Sequence, residues 1–391
     1  MALVVQKFGG TSVANINRIE NSSKIIKREI ELGNKVVVVI SAMAGVTDSL
    51  VKLYSNVSGD LINANQRREQ DAILASGEAV SAGLMALSLQ KMGVKAVSMQ
   101  SWQVPIATSS DFSCAKITNI LNEKIFESLD EDVIPVICGF QGIANNSITT
   151  LGRGGSDATA VAVAASIGAQ RCDIYTDVDG IYTCDPNIVP LAQKIDVISY
   201  DEIITMAHAG AKVLHARAAQ IGKKYNMKMR VLSSLSPDPT GTTIVNNNDY
   251  IEKPMITGIA QLKNTSLVNM FTKLSVIDVI KKAKGIEFSI EATEHLKDGN
   301  KLCLSLHDKD MSTFKSLGMH QDISSTSGLN KVSIVGYGIK NDNEIVEKVF
   351  KILNVHKVSL ERSVVQDIVI HLFIKGDTTD FILNLHKELM E

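Results

Sequence analysis

Leu3-Val4-Val5-Gln6-Lys7-Phe8-Gly9-Gly10-Thr11-Ser12 sets a β-rich run directly before a Gly-Gly turn. Behind it Ile16, Ile19, Ile26 and Ile30 fall at helical spacing over 15–32, and Gly33 can end that helix. Lys35-Val36-Val37-Val38-Val39-Ile40 then forms a strand without a polar face, the mark of a strand covered on both sides. Strand, glycine turn, helix and apolar strand make a βαβ unit, so the chain opens as an α/β fold.

The alternation predicts helix 71–92, strand 94–99, helix 113–128, strand 133–140, helix 157–168 and strand 173–178, then helices 199–208 and 210–223 and strand 227–234. A mostly parallel sheet with helices on both faces follows, with its working loops beyond the carboxyl ends of the strands. Turn residues gather at Pro237-Asp238-Pro239-Thr240-Gly241 and Asn246-Asn247-Asn248-Asp249, marking a boundary with a second domain from about residue 250. Beyond it, Lys301 to Leu306 and Asp367 to Phe373 alternate apolar with polar, an α+β texture. Residues 331–391 are one strand short of βαββαβ, and 266–327 read as a second such unit. The unclaimed strand 255–259 can complete the last unit, which interleaves the two.

With 40 basic and 42 acidic residues among 391 and no long block of one sign, neither a nucleic acid nor an anionic membrane is the expected partner. Met1 runs straight into strand-like residues without a basic leader, and the longest apolar stretch, Ala158 to Ala169, is too short to span a bilayer. A cytoplasmic protein is expected. Cys114, Cys138, Cys172, Cys184 and Cys303 show neither metal-ligand spacing nor a disulfide framework and read as buried free thiols.

Chemistry concentrates in the glycine turns. Lys7 precedes Gly9-Gly10, where backbone N–H groups can approach a phosphate closely; the plainer alternative is an ordinary βα turn with a solvated lysine. The spacing is not that of a P-loop. Gly152-Arg153-Gly154-Gly155-Ser156-Asp157 puts a cation, a hydroxyl and a carboxylate at the mouth of an alanine-rich helix, where Asp157 could also simply cap. Glu78 lies inside an apolar helical stretch, where its plain readings are a solvated helix residue or a buried ion-pair partner.

Taken with Ser41-Ala42-Met43, Gly77-Glu78, Tyr175 to Pro186 and Gly210-Ala211-Lys212-Val213-Leu214-His215, these motifs resemble, in their order, the aspartokinases, densely over 1–262 and loosely beyond. The resemblance implies an amino-acid-kinase (carbamate-kinase-like) three-layer α/β sandwich at 1–248 and tandem ACT modules at 249–391, the first at about 264–328 and the second from 250–263 plus 329–391. It implies phosphoryl transfer from MgATP to the β-carboxylate of L-aspartate and a homo-oligomer formed through the ACT modules. By motif, Lys7 and Asp157 would be catalytic, with Asp157 ordering cations. Ser41, Thr47, Glu78, Arg153 and Ser156 would hold aspartate. Lys7, Phe8, Gly9, Gly10, Thr176, Asp177, Tyr182 and Lys212 would hold the nucleotide.

A carboxylate nucleophile is already ionised near neutrality, so no general base, and no catalytic His, is needed. An arginine for the α-carboxylate and an anion for the ammonium select a free amino acid, and Arg153 and Glu78 supply them. The chain departs from the family in two places. Asn187 stands where an arginine commonly follows Asp-Pro. Phe271-Thr272-Lys273-Leu274-Ser275 lacks the glycine of the loop that receives a feedback amino acid, lysine and/or threonine in the family. Two competing readings are a kinase of this fold with another acceptor, such as glutamate, N-acetylglutamate, carbamate or uridine monophosphate, and a non-catalytic ACT sensor. The second predicts erosion of Lys7, Arg153 or Asp157, and all three are present.

Overall fold

A computed structural model describes residues 2–59, 63–236, 240–246 and 256–390. In chain order the first part comprises β1 (Leu3–Phe8), α1 (Ile16–Glu31), β2 (Lys35–Ile40), α2 (Val46–Ser58), α3 (Ala64–Lys91), β3 (Ala96–Met99), β4 (Ile106–Thr108), β5 (Ile117–Ile120), α4 (Glu123–Asp130) and β6 (Ile134–Cys138). It continues through β7 (Gln141–Ala144), β8 (Ser147–Thr150), α5 (Gly155–Ser166), β9 (Arg171–Thr176), β10 (Ile181–Tyr182), β11 (Lys194–Ile195), β12 (Val197–Ser199), α6 (Tyr200–His208), α7 (Ala216–Lys224), β13 (Met229–Ser233) and β14 (Thr242–Val245). The rest holds β15 (Gly258–Thr272), α8 (Val276–Lys282), β16 (Phe288–Leu296), β17 (Gly299–His307), α9 (Met311–Ser316), β18 (Asp322–Val335), α10 (Asn343–Val355), β19 (Ser359–Gln366), β20 (Val369–Lys375) and α11 (Thr379–Met390).

Two compact units result: Met1–Ile181 with Lys194–Ala207 and Lys212–Ile251, and Tyr182–Gln193 with His208–Ala211 and Glu252–Glu391. Of the boundary expected around 237–249, residues 237–239 and 247–249 lie outside the described residues, as does Met255 of the strand expected at 255–259.

The first unit is built on an eight-stranded sheet in the order β12-β14-β13-β9-β1-β2-β6-β3. Strand β1 lies in its middle, parallel to β2 on one side and β9 on the other. Val36, Val38 and Ile40 pack beneath Ile19 and Ile26 of α1 and Met85 and Leu89 of α3, while α5 covers β1, β2 and β9. Burying every side chain of Val36–Ile40 on both faces is what a run of β-branched residues can do and a polar one cannot.

Several expectations need correction. No helix spans 113–128: Ser113 has φ +70, Ile117–Ile120 is a strand, and the helix waits until Glu123. These strands belong to a second, four-stranded sheet, β5-β4-β7-β8. The helix expected at 210–223 starts at Ala216, where His215 takes up extended backbone and its ring accepts from Arg217 N. Four cysteines are buried, but Cys114 is exposed. Although no uninterrupted apolar run is long enough to span a bilayer, Asn65–Lys91 of α3 is a helix long and apolar enough to do so; half of it is buried in the protein.

The second unit carries a six-stranded sheet, β16-β17-β15-β18-β20-β19. Strand β15 serves both ends: Gly258 to Leu262 pair with Val335 to Lys331, and Thr265 to Thr272 pair with His307 to Asn300. Strand β18 stays paired with β15 along both halves, with register shifts between Leu262 and Leu267 and a left-handed Asn264, and β17 joins on the other side only from Thr265. Separate apolar clusters lie under α8 and α9 and under α10 and α11.

Candidate functional site

Strand β1 delivers Lys7 and Phe8 to the carboxyl edge of the large sheet, and Phe8 stacks on Tyr175 of β9 with ring centroids 4.8 Å apart. The chain then turns sharply. Gly9 N donates to Tyr175 O at 3.1 Å, Ser12 N to Gly9 O at 3.0 Å, and Ser12 Oγ to Tyr175 O at 3.3 Å. A Cβ on Gly10 would stand 3.1 Å from Ala42 O, so the turn seats against the loop after β2. Lys7 folds back over this turn: a Cβ on Gly9 would lie 3.4 Å from its Nζ. That ammonium, 2.5 Å from Asp157 Oδ1 in the first turn of α5, is almost shielded from solvent. Gly154, not Asp157, occupies the cap position of α5, so the capping alternative for Asp157 falls away.

The second turn is held from three sides. Leu151 N donates to Phe140 O at 2.9 Å, and a Cβ on Gly155 would meet the Phe140 ring at 2.8 Å. Gly154 has φ +67 and faces the His215 ring so closely that any side chain would collide. Ser156 is buried beside Gly139, where a Cβ would approach its Oγ to 2.8 Å.

Two positioning residues escape notice in the sequence. Asp71 of α3 is fully buried and accepts from Ser113 N (2.9 Å), Thr150 N (2.7 Å) and Thr150 Oγ1 (2.8 Å), tying the helix to the strand that leads into Leu151. Burial pushes its carboxyl above the ordinary value, with these hydrogen bonds acting in the opposite direction. Arg217 of α7 donates to Leu151 O (2.7 Å) and Ala115 O (2.8 Å). An isolated Asp or Arg at a helical position reads as surface, so the sequence carried no signal for either.

Glu78 is the most perturbed acid of the unit. Its Oε1 accepts from Ala42 N at 3.0 Å, while Oε2 is buried without a hydrogen-bond partner. Burial raises its carboxyl to about 7. The neighbouring Cys138 thiol is pushed up to about 12, first by burial and then by the Glu78 charge. Gly77 lets α3 approach closely, since a Cβ there would lie 2.9 Å from that of Ala42. Ser81 Oγ donates to Ser41 O at 2.7 Å, and Ser41 N to Phe8 O at 3.1 Å, so Ser41, Glu78 and the Lys7 turn share one framework.

Thr176 ends β9 beside Tyr175; its hydroxyl donates to Asp177 Oδ1 at 3.0 Å, and its carbonyl accepts from Ser234 N at 2.9 Å. Thr47 on α2, exposed Arg153 and exposed Lys212 make no side-chain hydrogen bond or ion pair among the described residues. Tyr182 falls in the second unit, as does Asn187, whose backbone and side-chain nitrogens both donate to Asp185 Oδ1 at 2.9 Å. No cluster of three His, Cys, Asp or Glu suited to a metal occurs among the described residues.

An anion-binding edge with glycine turns, a shielded lysine–aspartate pair and an orphaned buried carboxylate describes a phosphotransferase acting on a small charged acceptor. Residues 2–233 match the amino acid kinase family. An aspartokinase of Rickettsia felis is 40% identical over 396 residues, covering 99% of this chain and 98% of that protein. In fold, the chain is similar to E. coli aspartokinase III in complex with aspartate and ADP in its R-state (TM-score 0.85) and to the same enzyme with lysine and aspartate in its T-state (TM-score 0.73); each is 24% identical, with all of both chains covered.

The chain belongs to the amino acid kinase family, and within it to the aspartokinases. Its reaction is transfer of the γ-phosphoryl group of ATP to the β-carboxylate of L-aspartate, giving 4-phospho-L-aspartate, the opening step toward lysine, threonine and methionine.

Proposed function

We propose that this reaction is carried by the cleft at the carboxyl edge of the large sheet, with Glu78 and Arg153 selecting the acceptor and Lys7 stabilising the transferring group. The observation that carries the reading is Glu78 Oε2, a buried acceptor without a partner, in a carboxylate that burial has brought to about 7. Such an atom calls for a cation, and the α-ammonium of aspartate supplies one. Arg153, exposed and unpaired among the described residues, grips the α-carboxylate, and Ser41, Thr47 and Ser156 complete the acceptor side.

Two anions must then meet in line. Lys7 and the N–H groups of the Gly9-Gly10 turn offset their repulsion, and the ion pair with Asp157 fixes where the ammonium waits. Thr176, Asp177 and Lys212 take the rest of the nucleotide. Asp157, shielded in the first turn of α5 and held by the Lys7 ammonium, could supply a carboxylate to Mg²⁺, which needs only one or two protein carboxylates when phosphates fill the other positions. Bound Mg²⁺ would neutralise phosphate charge.

We assign 1–248 to the kinase and 249–391 to tandem ACT modules, at about 264–328 and at 250–263 plus 329–391; the pairing of Gly258 to Leu262 with β18 alone, and of Thr265 onward with β17 as well, supports the interleaving. Copies of the chain associate through these modules. In the loop 271–275, Leu274 N donates to Thr272 Oγ1 at 3.1 Å, Asn300 Nδ2 to Leu274 O at 2.9 Å, and Ser275 caps α8. These groups are engaged within the chain, so lysine and threonine find a poor seat there. Five unpaired cysteines suit the reducing cytoplasm, where we place the protein.

An acceptor panel tests the reading: ADP release should depend on L-aspartate, with hydroxylamine trapping the acyl phosphate, and not on glutamate or uridine monophosphate. Comparable turnover of either alternative would overturn it.

A further inference from the structure

Gly154 and Gly155 meet two aromatic rings that arrive from distant parts of the first unit. A Cβ on Gly155 would stand 2.8 Å from the Phe140 ring, and one on Gly154 would stand 2.2 Å from Cγ of His215. Phe140 follows β6 with φ +67, and Gln141 N donates to Gly139 O at 2.8 Å, which closes a γ-turn around it. That turn is strained, most of all for a bulky side chain. The other non-glycine residues with positive φ among the described residues are Ser, Asp, Asn and Lys. Every group of Phe140 is spent on the second glycine turn. Its O accepts from Leu151 N at 2.9 Å, its N donates to Thr159 Oγ1 at 3.2 Å, and that buried hydroxyl donates onward to Gly155 O at 2.9 Å. A glycine at 140 could make the same turn and the same backbone bonds without strain, so the ring is what the strain retains.

His215 comes from the opposite direction as the cap residue of α7. Its Nδ1 accepts from Arg217 N at 3.4 Å, and its Cβ, Cγ and Cδ2 lie against Gly154. We infer that Phe140 and His215 are positioning residues, the two jaws of a clamp that grips the glycines between Arg153 and Ser156. The grip sets where the guanidinium and the hydroxyl stand relative to one another; the Ser156 hydroxyl is buried and makes no hydrogen bond among the described residues. The inference rests on the reading of Arg153 and Ser156 as acceptor-binding residues. The Gly9-Gly10 turn is braced separately, by Gly9 N donating to Tyr175 O, so loosening the clamp should be felt by aspartate and not by ATP.

The test separates ring from cap in the full chain. His215→Asn keeps a side-chain acceptor for the start of α7 and removes the ring, whereas His215→Phe keeps a ring and removes the acceptor. His215→Asn should raise KM for aspartate about tenfold with KM for ATP and the melting temperature unchanged. His215→Phe should lower the melting temperature and keep KM for aspartate within about twofold of the parent. Phe140→Gly should also raise KM for aspartate about tenfold, and Phe140→Tyr should hold it near the parent value. Unchanged KM for aspartate in His215→Asn and Phe140→Gly, equal shifts for both substrates, or a KM for aspartate that tracks the melting temperature across these variants would overturn the clamp. Arg153→Ala tells that outcome from failure of the site: a raised KM for aspartate there leaves the acceptor reading standing, whereas an unchanged one removes that reading and the clamp with it.

Discussion

Lys7 and Asp157 stand 2.5 Å apart, although one lies near the end of the first strand and the other in the first turn of α5, with the whole four-stranded sheet formed between them. The contact joins the two glycine turns into one device. Replacing Lys7 with Ala should lower kcat by about two to three orders of magnitude, the cost of losing a fixed positive partner for developing charge. Aspartate binding, measured by calorimetry, should change far less. Equal losses in both would assign Lys7 to binding or to structure.

Glu78 makes aspartate binding sensitive to pH. Its carboxyl titrates at about 7 because burial penalises the charge, and the ammonium of the substrate needs the ionised form. Above pH 7 the site is ready; as pH falls below 7 the carboxyl takes up a proton and KM for aspartate should climb toward a tenfold rise per unit, while KM for ATP stays flat. Glu78→Gln should raise KM for aspartate by about ten- to a hundredfold and abolish that slope. A slope that survives in Glu78→Gln would point to another titrating group.

Arg217 is predicted to act at a distance. Arg217→Met would leave the carbonyls of Leu151 and Ala115 without their donors, loosening the turn that aims Arg153 and Ser156. The expected result is a drop of about tenfold in kcat/KM for aspartate and little change in KM for ATP. A purely structural role would lower the melting temperature and affect both substrates alike.

Sequence pattern is legible where one force dominates. Lys35–Ile40 could only be a strand buried on both faces, and the glycine turns declare themselves because Gly154 has no room for a side chain. Sequence pattern misleads where tertiary contact overrides it. Residues 113–128 space their apolar side chains like a helix, yet Asp71 captures the backbone of Ser113 and Thr150 and draws the segment into the small sheet. Helix α2 lies outside the predicted alternation because it buries none of its residues. Lys7 and Asp157 were legible from motifs, whereas Asp71 and Arg217 work through single contacts that no spacing announces.

Asn187 hydrogen-bonds to Asp185 within its own turn and presents no charge. Asn187→Arg should lower KM for ATP severalfold. An unchanged value in steady-state assays would mean that another cation already serves the phosphates.

The loop 271–275 should leave the enzyme unresponsive to feedback. Initial rates at subsaturating aspartate are expected to stay constant as lysine or threonine rises to millimolar concentration. Inhibition by either amino acid would show that the modules still receive it.

The central claim, that Lys7, Asp157, Glu78 and Arg153 form one phosphotransfer site for aspartate, is tested most directly by trapping the product. Incubated with MgATP, hydroxylamine and each acceptor in turn, the chain should form aspartyl hydroxamate with L-aspartate alone, and Lys7→Ala should lose that signal while still binding aspartate. Hydroxamate formation at the full rate by Lys7→Ala would contradict the account.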